Sequence, residues 1–157
     1  MALAQLLHES AGLTAKEEIA CKDSKCPGSY TGAGCEAPGQ YYYGRGYIQL
    51  SWCYNYRDAG NGLGLGDLLL NNADLVASNE QYAWDTAFWF WRERVRSGPY
   101  GADVLNGLFG ASTRAINGGV ECNGANLDRS KARFRYYQNV YQAFGISGTP
   151  DERGCYN

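Results

Sequence analysis

The sequence predicts a mainly helical domain with a small extended region, held together by cross-links. Three observations carry that reading. Two stretches place apolar residues at helical spacing between a capping signal and a glycine. One run of aromatic and β-branched residues, YYYGRGYIQLSWCYNY, has the composition of short extended segments. Six cysteines are spread through a chain of only 157 residues, one domain's length and enough to bury a core.

In chain order, residues 2–11 read as a short helix with Leu3, Leu6 and Leu7 on one side and Gly12 as its stop. Residues 21–40, CKDSKCPGSYTGAGCEAPGQ, are a Gly-, Pro- and Cys-rich loop that needs disulfides to stay in place. The aromatic run follows, and alternation along it puts Gln49, Ser51 and Cys53 on one side. NGLGLGDLLLNN reads as a flexible connection, and its glycines only weakly echo a nucleotide loop because no strand–turn–helix unit surrounds them. Ser78 with Gln81 forms a capping-box pattern opening a helix toward Gly98, with Trp84, Phe88, Trp91 and Val95 as its stripe. ASTRAINGG holds a shorter helix ending at Gly118 and Gly119. The last helix begins near Asp128 and stops at Gly145, its stripe being Phe134, Tyr137, Tyr141 and Phe144. No repeat and no second domain is visible.

Composition narrows the function. A net charge of −2 advertises neither a nucleic acid nor an anionic membrane as partner, and no apolar run approaches spanning length. Thirteen Tyr and four Trp suit packing on sugar rings or other amphipathic ligands, although a tyrosine-rich core gives the same count. With one histidine and no pair of C-x-x-C motifs, a metal site lacks ligands, and no metal or organic cofactor is expected. Cys21, Cys26, Cys35, Cys53, Cys122 and Cys155 instead read as three disulfides in an oxidising compartment, with fifteen connectivities open. MALAQLL is too short for a secretion signal and runs straight into a polar helix, so the expectation is a mature or trimmed form of a secreted protein.

The chemistry centres on HESAGLTAKEE, His8 to Glu18. On an unbroken helix Glu9 and Glu18 would face roughly 180° apart and lie about 13.5 Å from each other along the axis, of no use to a common substrate. A turn at Gly12 can bring Glu18 back toward Glu9 across a groove. Inverting glycoside cleavage needs that arrangement, with a protonated acid on the leaving oxygen and a second carboxylate far enough away to seat a water. By itself the stretch reads as solvated helix charge. His8 has no nucleophile-elbow partner and is assigned a structural role. The hydroxyl and amide groups of Gln49, Ser51, Tyr54 and Asn55, set among aromatic rings, are what a neutral polysaccharide requires. Read blandly, they are satisfied polar groups on a core strand.

HES-x-GL, KEEI, YYGRGYIQLSW-x-YNY, AFWFW and INGG-x-EC occur in this order, and together they resemble the glycoside hydrolase family 19 chitinases of compact, loop-poor type. The resemblance covers nearly the whole chain. It implies a mainly α, lysozyme-like (α+β) fold of two lobes with a substrate cleft, and an inverting endochitinase acting on β-1,4-linked N-acetylglucosamine. Glu9 matches the general acid, Glu18 the general base, and Ser51 the serine that helps hold the attacking water. Gln49, Tyr54, Asn55 and Asn117 match substrate-contacting positions. Glu121 and Arg133 match a charged pair behind the base. An acid that stays protonated near neutrality requires Glu9 to be desolvated or beside another anion. Of Arg129, Lys131, Arg133 and Arg135, only Arg133 is expected to point inward.

The family pattern further implies Cys26–Cys35, Cys122–Cys155 and, with these, Cys21–Cys53. The chain departs from it at Tyr47, where the family usually has Pro, and at HES in place of HET. It also has only seven residues before His8, so the single catalytic domain, residues 1–157, is expected to lack part of the usual N-terminal helical region. Chitin or chitooligosaccharide is the expected partner, secretion the expected location and a monomer the default. Two other readings stand beside the enzyme: a peptidoglycan-cleaving lysin, and a non-catalytic chitin-binding or structural relative.

Overall fold

The computed structural model describes every residue, Met1–Asn157. Helices carry the architecture, and β-pairing is confined to three isolated bridges. The fold class is therefore mainly helical, as the sequence predicts. No helix is long and apolar enough to cross a membrane. The chain divides into two compact units, Met1–His8 with Trp91–Asn157, and Glu9–Phe90.

The first unit takes all but the last residue of α1 (Ala2–Glu9), a π-helical turn (Trp91–Arg96), α6 (Gly101–Leu105), α7 (Phe109–Glu121) and α8 (Leu127–Ala143). Its core is Ala4, Phe109 and Tyr137, ringed by Met1, Phe134, Tyr136, Val140 and Tyr141. Phe109 and Tyr137 stack with centroids 4.6 Å apart. The predicted stripe on α8 therefore packs through Phe134, Tyr137 and Tyr141, while Phe144 lies past the helix end and is exposed. Gly118 and Gly119 do not stop α7 as the sequence suggests. The helix kinks at Asn117 (φ −147°) and continues to Glu121, where the Asn117 amide donates to the Glu121 carboxylate at 2.9 Å. Tertiary bonds to Glu121 thus outweigh the local preference of two glycines. The C-terminal tail crosses α7 at Gly110, where any Cβ would sit 2.4 Å from the Glu152 carbonyl.

The second unit contains α2 (Cys53–Gly62), α3 (Leu68–Asn71), α4 (Leu75–Ser78) and α5 (Glu80–Phe90). The supposed flexible connection, residues 61–72, thus carries the short helix α3, anchored by buried Leu69, and α4 follows it with Val76 buried. Asn79, not Ser78, caps α5, its side-chain oxygen accepting from the Tyr82 N–H at 3.2 Å. Ser78 ends α4 instead, its hydroxyl donating to the Asp74 carbonyl. The buried face of α5 is Ala83, Thr86, Ala87 and Trp89, whereas Phe88 of the predicted stripe is 58% exposed and stacks on Trp84. Small residues take the part of that face next to Gly46 because α5 approaches it closely, with the Ala83 carbonyl and the Thr86 hydroxyl each 3.3 Å from where a Cβ would stand.

Two of the implied disulfides are corrected. Cys21 pairs with Cys26 and Cys35 with Cys53, while Cys122–Cys155 is as implied. Residues 18–25 coil through Cys21 N–H to Glu18 O and Lys25 N–H to Cys21 O bonds. Left-handed Lys25 and Cys26 (φ 61° and 43°) then fold Cys26 back to a Cα–Cα distance of 4.9 Å from Cys21. That leaves Cys35, at the far end of the loop, to meet the first residue of α2. Peptide mapping of the unreduced protein is expected to yield Cys21–Cys26 and Cys35–Cys53 cross-linked fragments; a Cys26–Cys35 fragment would overturn this pairing.

Candidate active site

The turn after α1 is tighter than one glycine suggests. Ala11, Gly12 and Leu13 are all left-handed (φ 49°, 77° and 66°), a costly run for Ala and Leu. Ser10, fully buried, stabilises it. Its hydroxyl accepts the Leu13 N–H, and its carbonyl accepts the N–H groups of Thr14 and Ala15. Glu9 ends α1 before the turn, and Glu17 and Glu18 follow it; all three belong to the second unit.

Beyond the turn, residues 16–18 pair with 44–46, which pair in turn with 49–50. The bonds are Glu18 N–H to Gly44 O (2.8 Å), Gly46 N–H to Lys16 O (2.9 Å), and a reciprocal Arg45–Leu50 pair (3.1 and 2.8 Å). Glu18 thus stands opposite Gly44, and past Leu50 the pairing slips by one residue, the Trp52 N–H donating to the Tyr42 carbonyl (2.9 Å) and not to that of Tyr43. Glu17 and Glu18, as neighbours on an extended segment, leave it on opposite sides. The Glu18 carboxylate accepts the Tyr30 hydroxyl on Oε1 (3.1 Å) and the Gly44 N–H on Oε2 (3.1 Å). Glu17 instead accepts from Tyr43 (2.9 Å) and lies 4.0 Å from Arg45 Nε. It also faces a depression lined by Lys16, Lys22, Lys25 and Asp74 that includes neither Glu9, Glu18 nor Ser51. Burial, then the Glu18 charge and hydrogen bond, pushes the Tyr30 phenol up to about 12, which keeps it a donor.

Gln49 and Ser51 do not alternate along a strand with Cys53. Gln49 is left-handed (φ 56°) in a turn closed by its own amide on the Gly46 carbonyl (3.1 Å), and Cys53 begins α2. The Gln49 side chain covers Gly44, where a Cβ would stand 2.8 Å from Gln49 Oε1. Ser51 donates to the Gln49 carbonyl at 3.0 Å, leaving its lone pairs available. Tyr54 and Asn55 fall on the first turn of α2. The Asn55 amide donates to the Ser51 carbonyl (2.9 Å), and Tyr54, partly exposed, stacks on Trp52 with centroids 6.1 Å apart.

Asn117, Glu121 and Arg133 belong to the first unit and form one buried network there. Arg133 donates to both Glu121 oxygens (2.7 and 2.8 Å) and to Gln5 of α1 (2.9 Å). Gln5 donates onward to the hydroxyls of Ser112 and Thr113 on α7. Arg133 and Glu121 are each 1% exposed, whereas Arg129, Lys131 and Arg135 are exposed. Burial pushes the Glu121 carboxyl up, but the Arg133 hydrogen bonds and charge outweigh it and hold the group below the usual range. His8 sits edge-on to Tyr136 and is pushed down to about 4, first by burial and then by the Arg133 charge, with Glu121 acting the other way.

Sequence reasoning missed Tyr30, Trp52 and Gln5. Trp52 stood inside the quoted aromatic run. Gln5 carried a weak signal, as a lone polar residue on the leucine face of a short helix. Nothing local marked Tyr30, whose reach depends on how the loop is tied.

A sequence model of the chitinase class I family, glycoside hydrolase family 19, matches residues 7–114. The chain belongs to that family. An Arabidopsis thaliana endochitinase is 46% identical over 145 residues, covering 92% of this chain and 47% of the relative. A basic endochitinase of Brassica napus is 47% identical over 115 residues, covering 73% and 40%. The chain thus spans about half the length of the curated relatives it matches. Among solved structures, chitinase C of Streptomyces griseus aligns with a TM-score of 0.77 and 37% identity, covering 96% of this chain and 73% of that one. A class IV family 19 chitinase from Zea mays gives 0.74 and 34%, covering 96% and 69%.

Two stability predictions follow from the buried network of this family 19 chain. Arg133→Met leaves the Glu121 carboxylate buried without its guanidinium, and urea denaturation is expected to show a loss of about 3–5 kcal/mol. His8 binds its proton near 6.5 when unfolded but only near 4 when folded. The unfolded chain therefore holds more protons between those values, and the stability His8 contributes is full above about 6.5 and lost as the pH falls through about 4. His8→Gln is expected to flatten that part of the Tm-against-pH curve.

Proposed function

We propose that this chain is a secreted, single-domain endochitinase that hydrolyses β-1,4 bonds between N-acetylglucosamine units with inversion. Glu9 protonates the glycosidic oxygen at the end of α1, and Glu18 with Ser51 delivers water to the opposite face of the sugar. Gln49, Tyr54, Asn55 and Asn117 are the residues assigned to the sugar, and Glu121 with Arg133 is the charged pair assigned to support the base. The observation that carries the reading is the environment of Glu18. Two donors aim its carboxylate from both oxygens, within a chain of family 19. Glu17, by contrast, is engaged by Tyr43 and flanked by cations, as a structural carboxylate would be.

Trp52 and Tyr54, both partly exposed and stacked at 17°, offer a flat aromatic surface beside Ser51 of the kind that packs on a sugar face. Three disulfides and the absence of free cysteines support an oxidising, extracellular setting. The mechanism calls on no metal or organic cofactor, and a monomer suffices for it.

The test is hydrolysis of an N-acetylglucosamine hexamer with product anomers followed by NMR. Immediate α-anomer release is expected from the wild type. Glu9→Gln should abolish it, and Glu18→Gln should lower kcat at least a hundredfold while chitin binding persists. β-Anomer release would exclude inversion. Cleavage of bacterial cell walls with the hexamer left intact would instead favour a peptidoglycan lysin.

A further inference from the structure

We propose that Tyr30 is a positioning residue for the general base, acting through Glu18 and not on the sugar; this rests on the reading of Glu18 given above. A base that activates water must hold one lone pair in a fixed direction, and a glutamate carboxylate otherwise rotates about its last bond. Here the Tyr30 hydroxyl engages Oε1 and the Gly44 N–H engages Oε2, each at 3.1 Å, so the plane of the carboxylate is set from both ends. Each oxygen retains a second lone-pair site, which is the one left for water. Because the acceptor is charged, this phenol–carboxylate bond is stronger than a neutral one.

The loop around Tyr30 is built to hold that hydroxyl still. Tyr30 is itself left-handed (φ 56°), a conformation that persists in a tyrosine only when its surroundings impose it. Those surroundings are specific. Cys21–Cys26 and Cys35–Cys53 close the loop on either side of it. Between them Glu36 accepts the N–H groups of Ala33 and Gly34, and Tyr42 accepts the Ala37 N–H while donating to the Leu70 carbonyl. The ring of Tyr30 stands edge-on to Trp52, centroids 5.5 Å apart, and Trp52 follows Ser51 directly. One side chain thereby ties the base to the segment that carries the serine assigned to the same water. The high phenol pKa means the donor is not lost across the neutral range.

The experiment uses Tyr30→Phe, which keeps the ring against Trp52 and removes only the hydroxyl, assayed on the N-acetylglucosamine hexamer beside the wild type, Glu18→Gln, the double variant and Tyr41→Phe, an exposed tyrosine outside the site. Near-UV circular dichroism checks that each variant is folded. Tyr30→Phe is expected to lower kcat about tenfold with KM within about twofold of the wild type, and to cost nothing further in the Glu18→Gln background, while Tyr41→Phe is unchanged. Full kcat in Tyr30→Phe, or a loss that persists undiminished beside Glu18→Gln, overturns the role assigned to Tyr30 and leaves the chitinase reading standing. A wild-type chain that leaves the hexamer intact overturns both, and does so before any variant is compared.

Discussion

A guanidinium taken out of water must be given partners in the protein, and each compact unit of this chain is arranged round one such group. Arg45 and Arg133 are each 1% exposed and are the two largest fully buried side chains in the chain. The desolvation of an ion costs several kcal/mol, so each guanidinium has to be given hydrogen bonds inside the protein. Around Arg133 the answer is a two-pronged bond to Glu121, extended through Gln5 to Ser112 and Thr113. That set draws on α1, α7 and α8, which fixes the first-unit part of α1 against the two longest helices of that unit.

Around Arg45 the partners are the Tyr41 carbonyl, the Tyr56 hydroxyl and Asp74, with the guanidinium 3.7 Å above the Tyr43 ring. Arg45 is also the middle residue of the three-segment ladder, bridged to Glu17 on one side and Leu50 on the other. Holding Arg45 therefore holds the register that sets Glu18 opposite Gly44 and turns the chain back at Leu50, next to Ser51. The two glutamates of KEEI differ in role for the same reason. Alternation along the segment sends Glu17 toward Tyr43 and Arg45, and Glu18 toward Tyr30 and the Gly44 N–H.

Much of this was legible from local pattern. The last helix and the mainly helical character follow from periodicity, whereas the inward Arg133 was implied only by the resemblance to family 19. Other expectations failed where a long-range partner overrode a local signal. Asn117 and Glu121 carry α7 past two glycines because Arg133 waits for the carboxylate. Phe88 of the predicted α5 stripe is turned outward, and Ala83, Thr86 and Ala87 are buried in its stead, because α5 packs closely against Gly46. Cys21 meets Cys26, not Cys53, because a coil and a left-handed turn intervene that no spacing rule encodes.

The sequence by itself determined the family, the inventory of acids and hydroxyls, and which segments could be helical, because motif order, residue chemistry and hydrophobic period are local and additive. Only the tertiary structure decided which glutamate of the pair is held by Tyr30, how Gln49 lies over Gly44, and which cysteines meet. Those outcomes depend on left-handed turns at residues 11–13, 25–26, 30 and 49. Such turns cost energy locally and persist only because buried arginines, disulfides and a short ladder hold the chain to them.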